Sequence, residues 1–153
     1  MQTSIDLRLA RHGVIVLLLG LLVGFAIPGF HNPHLGNVAH LIGLIGGFGT
    51  ISLSLLWPKL SLGRFWSGAA AWMTAVSMYL SWLGAVLQGA FGSGPNAPKP
   101  IPGSLLVWDR AGGIALLIAA LLSLFATLVV LMGLRAAPVE TDDAPRAILT
   151  TKS

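Results

Sequence analysis

Four long apolar blocks, separated by short segments rich in proline, glycine and charged residues, dominate the hydrophobic pattern of the chain. The blocks cover about 9–27, 37–57, 65–91 and 105–134. Each meets or approaches the roughly 20 residues that a helix needs to cross a bilayer core. Proline, which lacks a backbone N–H, ends the first block at Pro28 and the second at Pro58. The pattern predicts an all-α integral membrane protein in which four transmembrane helices form one bundle.

The composition supports this prediction and bounds the rest of the chain. Of the 153 residues, 55% are hydrophobic and only 9% are charged, whereas about a quarter of an ordinary soluble domain is charged. We predict a single transmembrane domain over residues 1–135 and a polar, disordered cytoplasmic tail over residues 136–153. The absence of cysteine excludes disulfides, thiolate metal ligands and a cysteine nucleophile.

The basic residues predict how the chain is oriented. The net charge is +4, but the cations lie singly at the ends of the blocks, so nucleic acid is not an expected partner. Lys99 and Arg110 fall on one side of the predicted bundle. The opposite side holds Arg8, Arg11, Lys59, Arg64, Arg135, Arg146 and Lys152. By the positive-inside rule both termini face the cytoplasm, and Trp57, Trp66 and Trp108 at span ends are expected to form an aromatic belt.

The second block places a histidine among small residues on one helical face. At 100° per residue, one arc holds Gly36, His40, Gly43, Gly47, Thr50 and Ser54. A histidine inside a span avoids lipid and normally points into the bundle or a cavity. The glycines suit close helix packing. They equally suit a slot, beside a neutral imidazole, and that slot would be wide enough for a flat macrocycle. Because one histidine defines no metal geometry, the residues alone leave both interpretations open.

The third block carries a polar stripe that could face this histidine. The residues on that side of its helix are Thr74, Ser77, Ser81 and Gln88. Their polar groups can line a pocket, and they can equally bond backbone carbonyls or neighbouring helices. Asn96 or Asp109 would close the outer side of such a pocket. Asp109 also suits an ion pair with Arg110 or a position at a helix start.

Residues 8–95 resemble the bacterial hydroxylaminobenzene mutases in the order and spacing of several segments. The segments are 22–28, 32–33, 39–47, 56–60, 81–83 and 90–94. His40 lies in the third, which reads Ala-His-Leu-x-Gly-x-x-Gly-Gly. The start of the first block and the Ala39-His40 pair are more distantly similar to styrene oxide isomerase. Proteins of both kinds are small and have four spans, and they rearrange an aromatic substrate without net oxidation.

The resemblance to styrene oxide isomerase implies a trimer with haem b between subunits and an axial histidine on the second span. It also implies that ferric iron acts as a Lewis acid on the substrate oxygen. His40 matches the position of the ligand. The chain departs from the mutases at Ile42, Gly46 and Ser81, where they carry glutamate, asparagine and asparagine. The resemblance therefore supports the fold and the cofactor of this chain better than it supports the substrate.

These observations predict a membrane isomerase or mutase that rearranges a small apolar arylhydroxylamine or epoxide. The expected setting is a homo-oligomer, a trimer by resemblance, in the bilayer of the bacterial inner membrane. The alternative is a non-catalytic haem-binding or structural membrane subunit. The residues expected at the cofactor are His40 as iron ligand with Gly36, Gly43 and Gly47, and those expected in catalysis are Ser77, Ser81, Gln88, Asn96 and Asp109.

Overall fold

The computed structural model describes residues 4–92, 103 and 106–135, and the regular structure within these ranges is entirely helical. The four long helices are α1, Ser4–Ala26; α2, Pro33–Leu56; α3, Arg64–Phe91; and α4, Leu106–Arg135. Each is long and apolar enough to cross a membrane. The prediction of an all-α chain with four membrane-spanning helices is confirmed for this part of the chain. Asn96 and the predicted 136–153 tail lie outside the described residues.

Proline and an asparagine cap set the helix ends at the first connection. Pro28 lies in a 3-10 turn, Ile27–Gly29, that follows α1. Pro33 occupies the start of α2, where a missing N–H costs no hydrogen bond. The side chain of Asn32 accepts a hydrogen bond from the backbone N–H of Leu35 at 3.3 Å. Because this cap extends the helix beyond the apolar block, α2 begins at Pro33 rather than at the predicted residue 37.

Glycines bring the helices together in two pairs, α1 with α2 and α3 with α4. A methyl group added to Gly43 of α2 would collide with the backbone of Gly20 in α1. One added to Gly84 of α3 would lie 2.8 Å from the carbonyl oxygen of Gly112 in α4. In lipid, no hydrophobic driving force brings helices together. Small residues let the helix backbones approach closely, and the van der Waals contact that results stabilises the pair. The two pairs meet mainly where α2 packs against α3.

The apolar core is small, and about half of the large apolar side chains in the described residues are exposed. One buried cluster contains Leu9, Trp57, Ala70 and Val129. A second contains Val23, Ala39 and Ala85. A wide exposed apolar surface is the mark of contact with a membrane or another protein. Together with the four candidate spans, it describes a multi-pass membrane protein.

One of the tryptophans expected in an aromatic belt is buried instead. Trp57 is only 4% exposed, and its Nε1 donates a hydrogen bond to Oγ of Ser67 at 2.9 Å. Trp66 and Trp108 are 49% and 51% exposed, as a belt requires. Trp57 lies in a 3-10 turn after α2, where its indole joins the buried cluster. Its position at a span end therefore reflects packing against α3.

Candidate functional site

The ring of His40 lies in the groove between α1 and α2 and has a defined orientation. Its Nδ1 lies 2.8 Å from the carbonyl oxygen of Gly20 in α1. A carbonyl oxygen can only accept, so Nδ1 carries a proton and donates it. In the neutral imidazole, Nε2 is then the unprotonated nitrogen. This is the arrangement that metal-binding histidines use, because a hydrogen bond at one ring nitrogen fixes the other as the ligand atom.

Glycines of α1 make the room that this ring needs. A methyl group on Gly24 would lie 2.9 Å from Nδ1 of His40 and 3.0 Å from Cε1. Gly20, one turn earlier on the same face of α1, supplies the accepting carbonyl. Neither glycine is among the site residues predicted from the sequence. The sequence signal for them is two glycines spaced by one helical turn within a block of otherwise bulky apolar residues.

The glycines expected to border a macrocycle slot contact the chain's own atoms. Gly43 touches the backbone of Gly20, and a methyl group on Gly47 would lie 2.7 Å from a backbone nitrogen of α1. At Gly36 the neighbour is the ring of Phe30. Close packing therefore describes all three positions. None of them opens a flat slot within a single chain.

Ser77 lines an open cavity between α2, α3 and α4, away from the groove that holds His40. The cavity measures about 280 Å³. Its hydroxyl-bearing lining residues are Thr50, Thr74, Ser77, Ser123 and Thr127. The hydroxyl of Ser77 donates to the carbonyl of Thr74 at 2.9 Å, and the hydroxyls of Thr50 and Thr127 also donate to carbonyls of their own helices. Because these protons are engaged, the hydroxyls could offer a ligand only their oxygens, and those of Ser77 and Thr50 are buried, at 0% and 3% exposure.

The other predicted catalytic residues do not join Ser77. Gln88 packs against the glycines near the start of α4. Asp109 also lies near the start of α4, with Oδ1 3.2 Å from the place a methyl group on Gly92 would take. Ser81 is partly buried on α3, and Asn96 lies outside the described residues. The structure thus brings Gln88 and Asp109 to the same end of the α3–α4 pair and leaves Ser77 in the hydroxyl-lined cavity.

A polar cluster outside the site predicted from the sequence joins α1 to α3. Nδ1 of His12 lies 3.1 Å from the hydroxyl of Tyr79, and its ring centroid is 6.3 Å from that of Trp72. A second cavity, of about 200 Å³, adjoins this cluster. Trp72 and Tyr79 are seven residues apart and so share a face of α3, which is the available sequence signal. His40 lines neither this cavity nor the hydroxyl-lined one.

The metal-binding capacity of the described ranges is limited to single side chains. No three histidine, cysteine, aspartate or glutamate residues gather there in a group that could hold a metal ion. Iron inside a macrocycle has most of its ligands already and needs only an axial side chain from the protein. His40, with Nδ1 engaged and Nε2 unprotonated, fits that requirement. The donor set therefore suits an axially ligated haem better than a bare ion.

Comparisons with known proteins agree with one another. The sequence model of the styrene oxide isomerase family matches residues 5–135. The chain is 37% identical to hydroxylaminobenzene mutase HabB of Ectopseudomonas oleovorans over 147 residues, which is 92% of this chain and 88% of that protein. It is 38% identical to hydroxylaminobenzene mutase HabA of the same organism over 82 residues, 54% of this chain and 61% of that protein. No solved structure shows a significant match.

Proposed function

This chain belongs to the styrene oxide isomerase family and is an intramolecular isomerase; from that premise we propose that it rearranges a small apolar arylhydroxylamine or aryl epoxide with the help of haem b. Similarity to a hydroxylaminobenzene mutase over 92% of the chain favours the arylhydroxylamine. Membership of an isomerase family disfavours the alternative of a purely structural or haem-carrying subunit.

The orientation of His40 is the observation that carries the cofactor proposal. Its Nδ1 donates to the carbonyl of Gly20 at 2.8 Å, so Nε2 is the atom that would bind iron. The hydrogen bond to a backbone carbonyl raises the basicity of the ring and holds its plane. Gly24 leaves room for the ring beside α1. These features support His40 as an axial ligand.

The proposed reaction balances without an oxidant or a second substrate. In an arylhydroxylamine the N–O bond breaks, a C–O bond forms at a ring carbon, and the proton lost from that carbon is matched by one gained at nitrogen. A haem held by His40 would supply a Lewis acid for the oxygen of the substrate, at the N–O bond of an arylhydroxylamine or the C–O bond of an epoxide. The apolar walls of the bundle exclude water from the electron-poor ring that develops. A small aromatic substrate reaches such a site directly from the bilayer.

A homotrimer in the bacterial inner membrane, with both termini in the cytoplasm, completes the proposal. Within one chain the glycines beside His40 are packed against α1, and His40 lines neither cavity. We therefore place the space for a macrocycle outside a single bundle, against the partly buried His40 ring. A second copy covering this surface would enclose both the cofactor and the substrate, which supports an oligomer, and the number three rests on the resemblance to styrene oxide isomerase.

The purified full chain, reconstituted with haem, should convert hydroxylaminobenzene to an aminophenol with no reductant or oxidant added. Because the rearrangement is intramolecular, the product formed in ¹⁸O-labelled water should contain unlabelled oxygen, which mass spectrometry measures directly. Styrene oxide, assayed in parallel, should react more slowly, because both relatives reported above, at 37% and 38% identity, are hydroxylaminobenzene mutases. Labelled product would instead indicate attack by water, and faster turnover of styrene oxide would reverse the proposed substrate preference.

Substitution of Gly24 by alanine should weaken haem binding while the bundle stays folded. The added methyl group would lie 2.9 Å from Nδ1 of His40, so the ring must turn away from the carbonyl of Gly20. Loss of such a supporting hydrogen bond typically lowers metal affinity by about 10- to 100-fold. Haem titration followed by absorbance measures the change. Gly49→Ala is the matched control, since a methyl group there meets no atom within 4 Å; equal affinities for the two variants would contradict the proposed ring support.

A further inference from the structure

The cavity between α1 and α3 lies at the cation-rich end of the bundle. Arg8 and His12 line it from α1, and Gly68 and Trp72 line it from α3. Arg8 is the second residue of the candidate span Leu7–Gly29, so it falls at the boundary between hydrocarbon and headgroups. The cavity measures about 200 Å³. The cavity does not include His40, and the cations beside it are not part of the site proposed there.

The groups that face this cavity are suited to an oxyanion. Arg8 supplies a guanidinium group, which is always charged and binds phosphate oxygens through two parallel N–H groups. None of the lining residues that the structure describes is acidic. The described helix ends on this side of the bundle add the positive charges of Arg11, Lys59, Arg64 and Arg135 against one acidic residue, Asp6. The local field therefore favours an anion over a cation or a neutral ligand.

His12 offers a second donor, and Tyr79 holds its ring. Nδ1 of His12 lies 3.1 Å from the tyrosine hydroxyl. When the hydroxyl donates to Nδ1, the neutral imidazole carries its proton on Nε2, and the doubly protonated imidazole also has an N–H there. In these two states Nε2 of His12 is a donor, whereas in the tautomer with its proton on Nδ1 it is an acceptor. Tyr79 is thus a positioning residue, whose contact fixes the ring within the α1–α3 cluster.

The remaining walls point to a lipid rather than to a soluble anion. Trp72 is 68% exposed on a membrane-spanning helix and flanks the cavity. Indole rings favour the headgroup layer, where one side is apolar and the other is wet. Gly68 leaves open space, because a methyl group there would meet no atom within 4 Å. Basic pockets between membrane helices are known to bind lipid headgroups.

We propose that this cavity binds the phosphate group of an anionic membrane phospholipid, with Arg8 and the Nε2 atom of His12 donating to the phosphate and Trp72 contacting the glycerol region. The bound lipid would bridge α1 and α3, which make a smaller contact with each other than either makes with its pairing helix. Such a site would stabilise the packing between the two helix pairs without taking part in the isomerase reaction.

The test counts lipids retained by the purified full chain. Phosphatidylglycerol and phosphatidylcholine are titrated separately into delipidated protein, and bound lipids are resolved by native mass spectrometry. We expect one phosphatidylglycerol per chain to bind at least fivefold more tightly than phosphatidylcholine, since one arginine near the headgroups changes the affinity by about fivefold. Arg8→Gln and Gly68→Leu should each remove this preference, the first by deleting charge and the second by filling space. Arg11→Gln, an equal charge loss on the same exposed helix end, should retain it.

Three results would overturn the proposal. Equal binding of the two lipids would show that the cavity does not recognise an anion. An Arg11→Gln variant that loses as much preference as Arg8→Gln would show that the whole basic surface acts, with no defined site. Displacement of phosphatidylglycerol by millimolar inorganic phosphate would identify a soluble anion as the ligand. If Gly68→Leu does not fold, the comparison of Arg8→Gln with Arg11→Gln still decides between these outcomes.

Discussion

Replacement of His40 by alanine should lower isomerase turnover to the uncatalysed background while the four helices remain formed. In the proposed site His40 is the chain's only ligand to iron, so removing it removes the Lewis acid from the reaction. The structural cost is modest, since the ring is only partly buried and the carbonyl of Gly20 loses the hydrogen bond from His40 while it keeps its place in the backbone bonding of α1. A hydrogen bond of this kind contributes about 0.5–1.5 kcal/mol. Product formation from hydroxylaminobenzene by the reconstituted protein measures the effect.

His34→Ala is the control for that experiment. His34 lies on the same helix but is exposed near its start, so its loss should leave turnover unchanged. Added imidazole should restore part of the activity to His40→Gly, because the small base can occupy the space that the side chain left. Full activity in His40→Ala, with circular dichroism showing an intact bundle, would remove His40 from the reaction.

Substitution of Gly43 by valine should give the largest loss of stability in the bundle. The new side chain would meet the backbone of Gly20, and a backbone inside a packed helix cannot move aside as the end of a side chain can. Overpacking a core typically costs about 1–3 kcal/mol, and here the two helices must also separate. Because the carbonyl that holds His40 belongs to Gly20, haem affinity should fall together with stability.

Thermal unfolding of the detergent-purified protein, followed by its helical circular dichroism, measures the loss at Gly43. Gly49→Val is the matched control. It has the same loss of glycine and gain of a β-branched residue on the same helix, but a Cβ at Gly49 meets open space. An unfolding temperature of Gly43→Val equal to that of the control would mean that α1 and α2 do not touch at this point.

The hydrophobic pattern was sufficient to predict the helices but not their ends. Four blocks of apolar residues separated by proline leave few alternatives for a chain in lipid, where backbone groups must bond within each helix. The early start of α2 depends on the cap that Asn32 forms with Leu35. Caps of this kind involve polar residues outside the apolar block, so a hydropathy pattern does not include them.

The sequence identified His40 but not its surroundings. A helical wheel groups residues of one helix and carries no information about which neighbour fills the opposite side. The arc of Gly43 and Gly47 is therefore compatible with a slot or with packing, and the structure fills it with α1. The partner of His40, Gly20, lies on another helix. Only the tertiary pairing of α1 with α2 shows that the imidazole is held through Nδ1.

The polar residues of α3 show the same limit. Thr74 and Ser77 share a face and line one cavity as the stripe suggested, but that cavity lies between α2, α3 and α4 and His40 does not line it. Tyr79 lies on the other face, and its contact with His12 joins α1 to α3. Periodicity thus predicts which residues lie together on a helix. Which helix each face meets depends on packing that a single sequence does not specify.

The most direct test of the account is an absorption spectrum of the full chain, purified in detergent after expression with ample haem supply, recorded for the wild type and for His40→Ala. The account predicts a Soret band in the wild type that shifts on reduction and is absent from His40→Ala. It predicts the same band in His34→Ala. A wild-type protein without the band, or a His40→Ala protein that retains it in full, would contradict axial ligation by His40 and the Lewis-acid mechanism built on it.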